Sequence, residues 1–370
     1  MSDVKIIAAY LPQFHEIPEN NEWWGKGYTD WVAVKNSCPV FENHYQPRVP
    51  LNNNYYSLDN VETIRWQADI ARKYGVFGFG IYHYWFSDNQ QLLTKPAEIL
   101  LSNSDIEINY CFMWDNNSWV NKTWKNISFV NQWAPKFEEF GEKSNPSGVL
   151  AELKYGDEKS WKKHYEYLKP FFSDRRYIKY NGKPVFGIFL PQNEYQTLKR
   201  MCIYMCELAK KDGFPGIFFI SSANFSRKRI GMDFRYEPFN VCSPVDYLRR
   251  KQKNKEEMKM YDYDERWKKI LFNARFFPSS KTLLGGFVRY DDSPRRGEKA
   301  NIVVGETPEK FCNYMEQLIR LSKKQNKEFI YLTAWNEWGE GAYLEPDTKD
   351  GYAYLEALKR AIDSVDAENV

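Results

Sequence analysis

Residues 328–341 read EFIYLTAWNEWGEG. The first half, Glu328–Ala334, is an almost continuous apolar, β-prone run, the pattern of a strand covered on both faces. The second half breaks into Trp, Asn and Glu with two glycines, a polar turn leaving the strand's C-terminal end. Working outward, the same unit recurs. Similar runs stand at Lys5–Leu11, Gly75–Tyr82, Ile106–Trp114, Pro184–Leu190, Gly216–Ser222, Met232–Glu237 and Leu283–Val288, making eight in all. Stretches of helical period lie between many of them: Asn60–Tyr74, Lys159–Phe171, Glu194–Lys211, Pro308–Lys324 and Tyr352–Ser364. The first repeats Val61, Ile64, Ala68 and Ala71 at core-face spacing, and the fourth starts with Thr307 as N-cap and Pro308 as first helical residue. Eight strands alternating with helices match a single (β/α)8 (TIM) barrel, an α/β fold forming one catalytic domain over residues 1–370. A doubly wound open sheet is the alternative, but no GxGxxG turn follows the first strand.

Three intervals exceed a minimal barrel: Pro12–Pro50, Asp115–Glu158 and Cys242–Arg275. Loops of that length in a compact domain are usually functional. The first two follow strand C-termini, the face on which barrel enzymes build their sites.

Composition narrows the chemistry. Aromatic residues make up 17% of the chain, with 13 Trp, 26 Tyr and 25 Phe. Such rings serve a large core, and they also stack on the C–H faces of sugars. The 52 basic and 49 acidic residues nearly balance, so no concentrated basic face calls for nucleic acid. The clusters Arg227–Arg229 and Arg249–Lys253 read as solvated faces. Six scattered cysteines show no CxxC spacing and suggest neither zinc nor a disulfide framework. The start, MSDVKIIAAYLPQF, lacks the pattern of a signal peptide, and no 18 apolar residues run together. The expectation is a cytoplasmic protein without a membrane span, and no protein partner is inferable.

Polar residues just past strand C-termini are the candidates for function. They are Tyr10, Gln13 and His15 after strand one, and His83, Tyr84 and Trp85 after strand two. Strand three ends in Trp114, Asp115 and Asn116, strand four in Pro191 and Gln192, strand five in Ser221, Ser222 and Asn224, and strand six in Glu237. Strand seven leads to Asp291, Asp292, Arg295 and Arg296, and strand eight to Trp335, Asn336, Glu337 and Glu340. Trp31 and Trp338 complete the set of candidate sugar contacts. Carboxylates, amides, imidazoles and Trp rings on one rim suit a neutral polyhydroxylated ligand, an oligo- or polysaccharide. No phosphate-cradling glycine loop and no GxSxG turn is present. His44 and His164 read as structural, and the four histidines show no metal-ligand spacing with cysteine. Neither a metal nor a cofactor is expected.

The segment Trp335–Gly341 carries the strongest local signal. Cleaving a glycosidic bond needs one carboxyl group to protonate the departing oxygen and a second to act as nucleophile or base. Glu337 and Glu340, framed by Trp335 and Trp338, supply two. Apolar rings raise the pKa of one, while polar neighbours keep the other ionised. Gly339 and Gly341 permit a tight non-helical turn that aims both inward. An isolated ExxE pair would more simply be a solvated pair offsetting a helix dipole. Two Trp residues in a charged loop after a buried strand favour catalysis.

Six segments carry a family resemblance: AAYLPQFHEIPENNEWWGKGYTDW from Ala8, then HYQPRVPLN, IYHYWF, YIKYNGKPVFGIF, YDDSPRRG and TAWNEWGEGAYLEPD. In this order, from Ala8 to Asp347, the chain resembles the WbsX-type family. That family is labelled as glycosyltransferases of polysaccharide biosynthesis and is related to glycoside hydrolase family 99. The resemblance implies a (β/α)8 barrel acting on glycosidic bonds. Family 99 enzymes are endo-acting, configuration-retaining mannosidases that need no metal and use two Glu three residues apart, which map onto Glu337 and Glu340. By that analogy Glu337 deprotonates the sugar 2-hydroxyl, which attacks C1. Glu340 protonates the leaving oxygen and then activates water. The family usually carries an acidic residue between two Trp residues after strand three. This chain reads Trp114-Asp115-Asn116-Asn117-Ser118-Trp119, with Asn117 at that place and Asp115 nearby.

Three functions compete on this reading. A retaining, endo-acting glycoside hydrolase or transglycosylase of a bacterial polysaccharide fits the carboxylate pair. A glycosyltransferase of O-antigen or capsular polysaccharide biosynthesis would need a diphosphate site, for which Arg289, Arg295 and Arg296 beside Asp291 and Asp292 are the candidates. A non-catalytic sugar-binding barrel has no need of paired Glu.

Overall fold

The computed structural model describes residues 4–120, 149–189, 194–222, 234–236, 258–276, 278, 280 and 282–367. Eight strands form the centre: β1 (Lys5–Tyr10), β2 (Val76–Ser87), β3 (Asn109–Trp114), β4 (Lys183–Ile188), β5 (Phe218–Ser222), β6 (Phe234–Tyr236), β7 (Thr282–Phe287) and β8 (Phe329–Thr333). Each pairs in parallel with the next. β8 then pairs in parallel with β1, from Lys5↔Phe329 to Ala8↔Leu332, and closes the barrel. Closure excludes the open doubly wound sheet. Each of the eight runs expected from the sequence holds one of these strands, because strands buried on both faces leave continuous apolar text. Ile6–Tyr10 of β1 and Tyr110–Trp114 of β3 are buried without interruption.

The interval after β1 folds into two short helices, α1 (Pro18–Trp24) and α2 (Asp30–Lys35). Around the barrel then follow α3 (Val61–Lys73), α4 (Lys95–Ser102), α5 (Glu158–Ser173), α6 (Tyr195–Lys211) and α7 (Tyr263–Phe276). A single turn, α8 (Ser293–Arg296), follows β7 and precedes α9 (Pro308–Lys324), and α10 (Ala353–Ala367) follows β8. The caps explain several starts. The Asn60 side chain accepts from Glu62 N, Asp157 from Lys159 N and Ser160 N, and Thr307 from Lys310 N ahead of Pro308. The α3 core face is Ile64, Gln67, Ala68 and Ala71, with Val61 half-buried.

Two expectations change. The interval Cys242–Arg275 reads in the sequence as an insertion, yet it contains most of α7, whose Tyr263, Trp267, Ile270, Leu271 and Ala274 face the core. Strand two continues five residues past Tyr82 to Ser87 and turns back antiparallel onto Gln90–Leu92, with Tyr84 opposite Leu92. His83, Tyr84 and Trp85 therefore lie within a strand, where side chains alternate between faces. Among the described residues, no helix is long and apolar enough to cross a membrane.

Candidate active site

The turn Trp335–Gly341 leaves β8 toward the barrel mouth and is clamped before it reaches its carboxylates. Trp335 N donates to Ala9 O at 2.7 Å. The Asn336 amide spans the end of β1, accepting from Leu11 N at 2.8 Å and donating to Leu11 O at 3.0 Å. Trp338 stacks on Tyr343 with centroids 3.7 Å apart, and its Nε1 donates to Glu345 Oε2 at 2.7 Å. Trp338–Glu340 then form one 3-10 turn ending at Gly341, whose φ of +58° lies in the left-handed region that glycine accepts. The other glycine is required by space. A Cβ on Gly339 would stand 2.7 Å from Arg295 Nε and 2.8 Å from its Nη2.

Arg295, at the end of α8, organises the site. Its Nη2 bonds Asp30 Oδ2 at 2.7 Å and Glu337 Oε1 at 2.9 Å, and its Nη1 bonds Glu340 Oε1 at 3.0 Å. One guanidinium thus holds the two glutamates side by side and ties them to α2. Glu337 is 6% exposed, whereas the Glu340 side chain is 29% exposed. Burial raises Glu337 well above the usual carboxylate value. Arg295 opposes the rise, while Glu340 and Asp30 add to it.

Next to this triad lies a cleft of about 210 Å³, walled by the loop after β1 and the loop after β3. Gln13, Asn20, Trp24, Tyr28 and Asp30 form one side, and Asp115, Asn117, Ser118 and Trp119 the other. Among the described residues, three buried polar atoms here find no hydrogen-bond partner: Gln13 Oε1, Tyr28 OH and Asp115 Oδ1. Burial alone pushes Asp115 up to about 7, so near neutrality its carboxyl can donate as well as accept. Tyr84 projects to the same side, where Asp115, Glu337 and Asp30 act on its phenol, and its ring meets Trp119 edge-on at 4.9 Å. Unpaired buried groups are costly in isolation, so a cleft lined by them is chemically matched to a hydroxyl-rich occupant.

The structure separates the sequence candidates. Gln13, Tyr84, Asp115, Arg295, Glu337 and Glu340 meet at the mouth. His83 and Trp85 do not, because alternation along β2 turns them outward onto α5. There Trp85 stacks on His164 at 4.3 Å, and His83 Nε2 lies 2.9 Å from His164 Nε2. Trp114 is buried and donates from Nε1 to Trp85 O. Asn116 is buried and donates to Tyr155 OH. Tyr10 faces the helices and donates to Gln67. His15 is also buried, which lowers its pKa. Trp31 is fixed by Nε1 to Tyr56 O and packs on Trp338 at 5.3 Å. Trp335, Trp338 and Asn336 have no exposed surface. These residues frame the site from behind and do not line the cleft. Glu237 falls outside the described residues, as do Pro191, Gln192, Asn224 and the Ser222 side chain.

The acid pair considered for a diphosphate is likewise internal. Asp291 is 0% exposed and takes bonds from His44 Nε2, Gln46 Nε2 and Ser293 N, with Arg48 3.5 Å away. Burial pushes it up, but His44, Arg48 and Ser293 outweigh that and hold it far below the usual range. Asp292 accepts from Asn301 N and pairs with Arg296. Arg289 is committed to Asp347 and Asp350.

Sequence reasoning missed Asp30, Tyr28, Trp24 and Trp119 as site residues, together with Glu345 behind the turn. Glu345 is buried and accepts from Tyr56 OH, Gln67 Nε2 and Trp338 Nε1, each at 2.7 Å. Burial outweighs these donors and pushes it up to about 7.

Residues 6–358 match the family described as glycosyltransferase WbsX. A protein of Xanthomonas campestris pv. campestris (strain B100), called uncharacterized protein WxcX, is 28% identical over 371 residues. The match takes in 96% of this chain and 49% of that protein, so the chain spans about half the length of the curated relatives it matches. Among solved structures, the GH99 endo-alpha-mannosidase from Bacteroides thetaiotaomicron superposes with a TM-score of 0.58 at 14% identity, covering 100% of this chain and 99% of that one. A glycoside hydrolase-like protein gives 0.58 at 14% identity, with 98% and 94% coverage. At that identity both likenesses show the barrel alone.

Proposed function

Since the chain belongs to the WbsX glycosyltransferase family and hence to the carbohydrate-active enzymes, we propose that it cleaves, or transfers across, a glycosidic bond of a bacterial polysaccharide with retention of configuration. Glu337 and Glu340 are the catalytic carboxylates in this reading. The observation that carries it is the shared guanidinium, which holds a buried and a partly exposed glutamate together beside a cleft lined with amide, phenol and carboxyl groups.

Glu337 takes the proton of the sugar 2-hydroxyl as that oxygen attacks C1, while Glu340 gives its proton to the departing oxygen. Glu340, now a carboxylate, takes a proton from the incoming water, which opens the intermediate at C1. Glu337 returns its proton to the 2-oxygen, and both groups regain their starting states. A general base works best with a pKa near the operating pH, and the burial of Glu337 moves it in that direction. Tyr28, Asp115 and Gln13 meet the sugar hydroxyls, and Trp24 and Trp119 offer ring faces.

The family's own description favours transfer from an activated donor as the second reading. One experiment separates them: mannose- and rhamnose-containing oligosaccharides are incubated with and without nucleotide sugars, and products are followed by mass spectrometry. Hydrolysis without nucleotide, lost in Glu337→Gln and Glu340→Gln, is the expected result. Transfer that occurs only with a nucleotide sugar would replace the proposal with the transferase.

A further inference from the structure

A second concavity of about 370 Å³ lies on the outer rim of the same barrel face, between the segments that follow β1 and β8. Its walls carry an unusual set of groups. Asn52, Asn53 and Asn54 are consecutive and exposed, and they stand opposite half-buried Trp66 of α3 and half-buried Tyr352. Leu51 and Pro346 join across it, Leu51 N donating to Pro346 O at 3.0 Å. None of these lining residues is charged. Three amides can each donate and accept, and indole and phenol rings offer apolar faces with a polar edge. That combination fits a neutral, hydroxyl-rich ligand, with no full charge in the lining to favour an ion.

The pocket also touches the machinery behind the catalytic turn. The Trp66 ring lies 6.1 Å from that of Tyr56, whose hydroxyl donates to Glu345, the acceptor that holds Trp338. Pro346 directly follows Glu345 in the chain. The segment that follows β1 lines both pockets, through Gln13–Asp30 in the cleft and Leu51–Asn54 here.

We infer that this rim pocket is a second saccharide-binding site, which takes a neutral sugar unit of a polysaccharide outside the catalytic cleft. The inference rests on the reading of the chain as an enzyme acting on polysaccharides. Its test is affinity gel electrophoresis of the Glu337→Gln protein, which consumes no probe, in gels containing soluble α-mannan or a soluble rhamnan. Trp66→Ala and Asn54→Ala are compared with Asp115→Asn in the cleft. Asn54 is exposed and its φ of −74° suits alanine, so it decides the matter even if loss of Trp66 disturbs folding. The expected result is retardation in at least one gel, weakened roughly tenfold by each pocket variant and weakened further when Asp115→Asn is added. Retardation indifferent to both pocket variants, or no retardation in either gel, would overturn the inference. The two readings fail separately. Retardation through the pocket without hydrolysis by the parent protein sinks the glycosidase reading alone, and hydrolysis with retardation only through the cleft sinks the pocket alone.

Discussion

Replacing Arg295 by methionine keeps much of the side chain's volume and removes the cation that Asp30, Glu337 and Glu340 share. A unit charge pair at about 4 Å in an effective dielectric of about 20 is worth about 4 kcal/mol. Losing that partner raises the Glu337 carboxyl further, because Arg295 is the group that opposes its rise. Water entering the gap and the exposure of Glu340 reduce the lost interaction to roughly 1.4–2.8 kcal/mol. In the proposed mechanism Glu337 must be ionised to act as base. The acidic limb of kcat/KM therefore moves to higher pH, and the rate at pH 7 falls roughly 10- to 100-fold. Stability follows with a definite sign. In the variant the folded carboxyl pKa lies still further above its unfolded value. The contribution this makes is fully present below about pH 4 and is lost as pH rises through the folded pKa. The Tm deficit relative to the parent is thus small near pH 4.5 and large near pH 8. Rate profiles from pH 4 to 10, with melting curves in the same buffers, read both effects. An acidic limb that stays in place, together with a Tm deficit that is the same at every pH, would refute the role given to Arg295.

Gly339→Ala places a Cβ 2.7 Å from Arg295 Nε; the guanidinium must withdraw, and kcat/KM is expected to fall at least roughly tenfold with the fold retained by circular dichroism. His83 and His164 are both lowered by burial from 6.5, His83 to about 3. They contribute stability that is present above pH 6.5 and lost as pH falls, at up to about 1.4 kcal/mol per pH unit each; urea midpoints between pH 4.5 and 7.5 should slope accordingly and flatten in a His83→Gln, His164→Gln variant.

The strands were legible because burial on both faces writes itself as uninterrupted apolar text. Helix α4, at eight residues, is too short to show a period. In α7 the periodic residues Tyr263, Trp267, Ile270, Leu271 and Ala274 are interleaved with charges, which hides the helical period inside a long interval. At the site, the glutamate pair stood out locally. The Arg295–Asp30 contact joins residues 265 apart, a distance in sequence that no spacing rule spans. The Trp residues misled for a physical reason. A large ring with a polar edge serves a sugar cleft and a core equally well, and Trp31, Trp114, Trp335 and Trp338 turned out to be the packed frame. The rings at the cleft, Trp24 and Trp119, sit in loops whose course depends on tertiary contacts. For His83 and Trp85, the error was one of strand length: ending β2 at Tyr82 hid the alternation that turns them away.

Leaving-group dependence tests most directly the proposed division of labour between the two glutamates held by Arg295. On the substrate identified by the oligosaccharide panel, the first-turnover rate is compared for the natural leaving group and for an aryl leaving group that needs no protonation. Glu340→Gln should lose roughly 10²- to 10⁴-fold on the natural substrate and recover most of that loss on the aryl one, while Glu337→Gln stays inactive on both. Equal recovery by the two variants, or recovery by Glu337→Gln alone, would contradict the assignment.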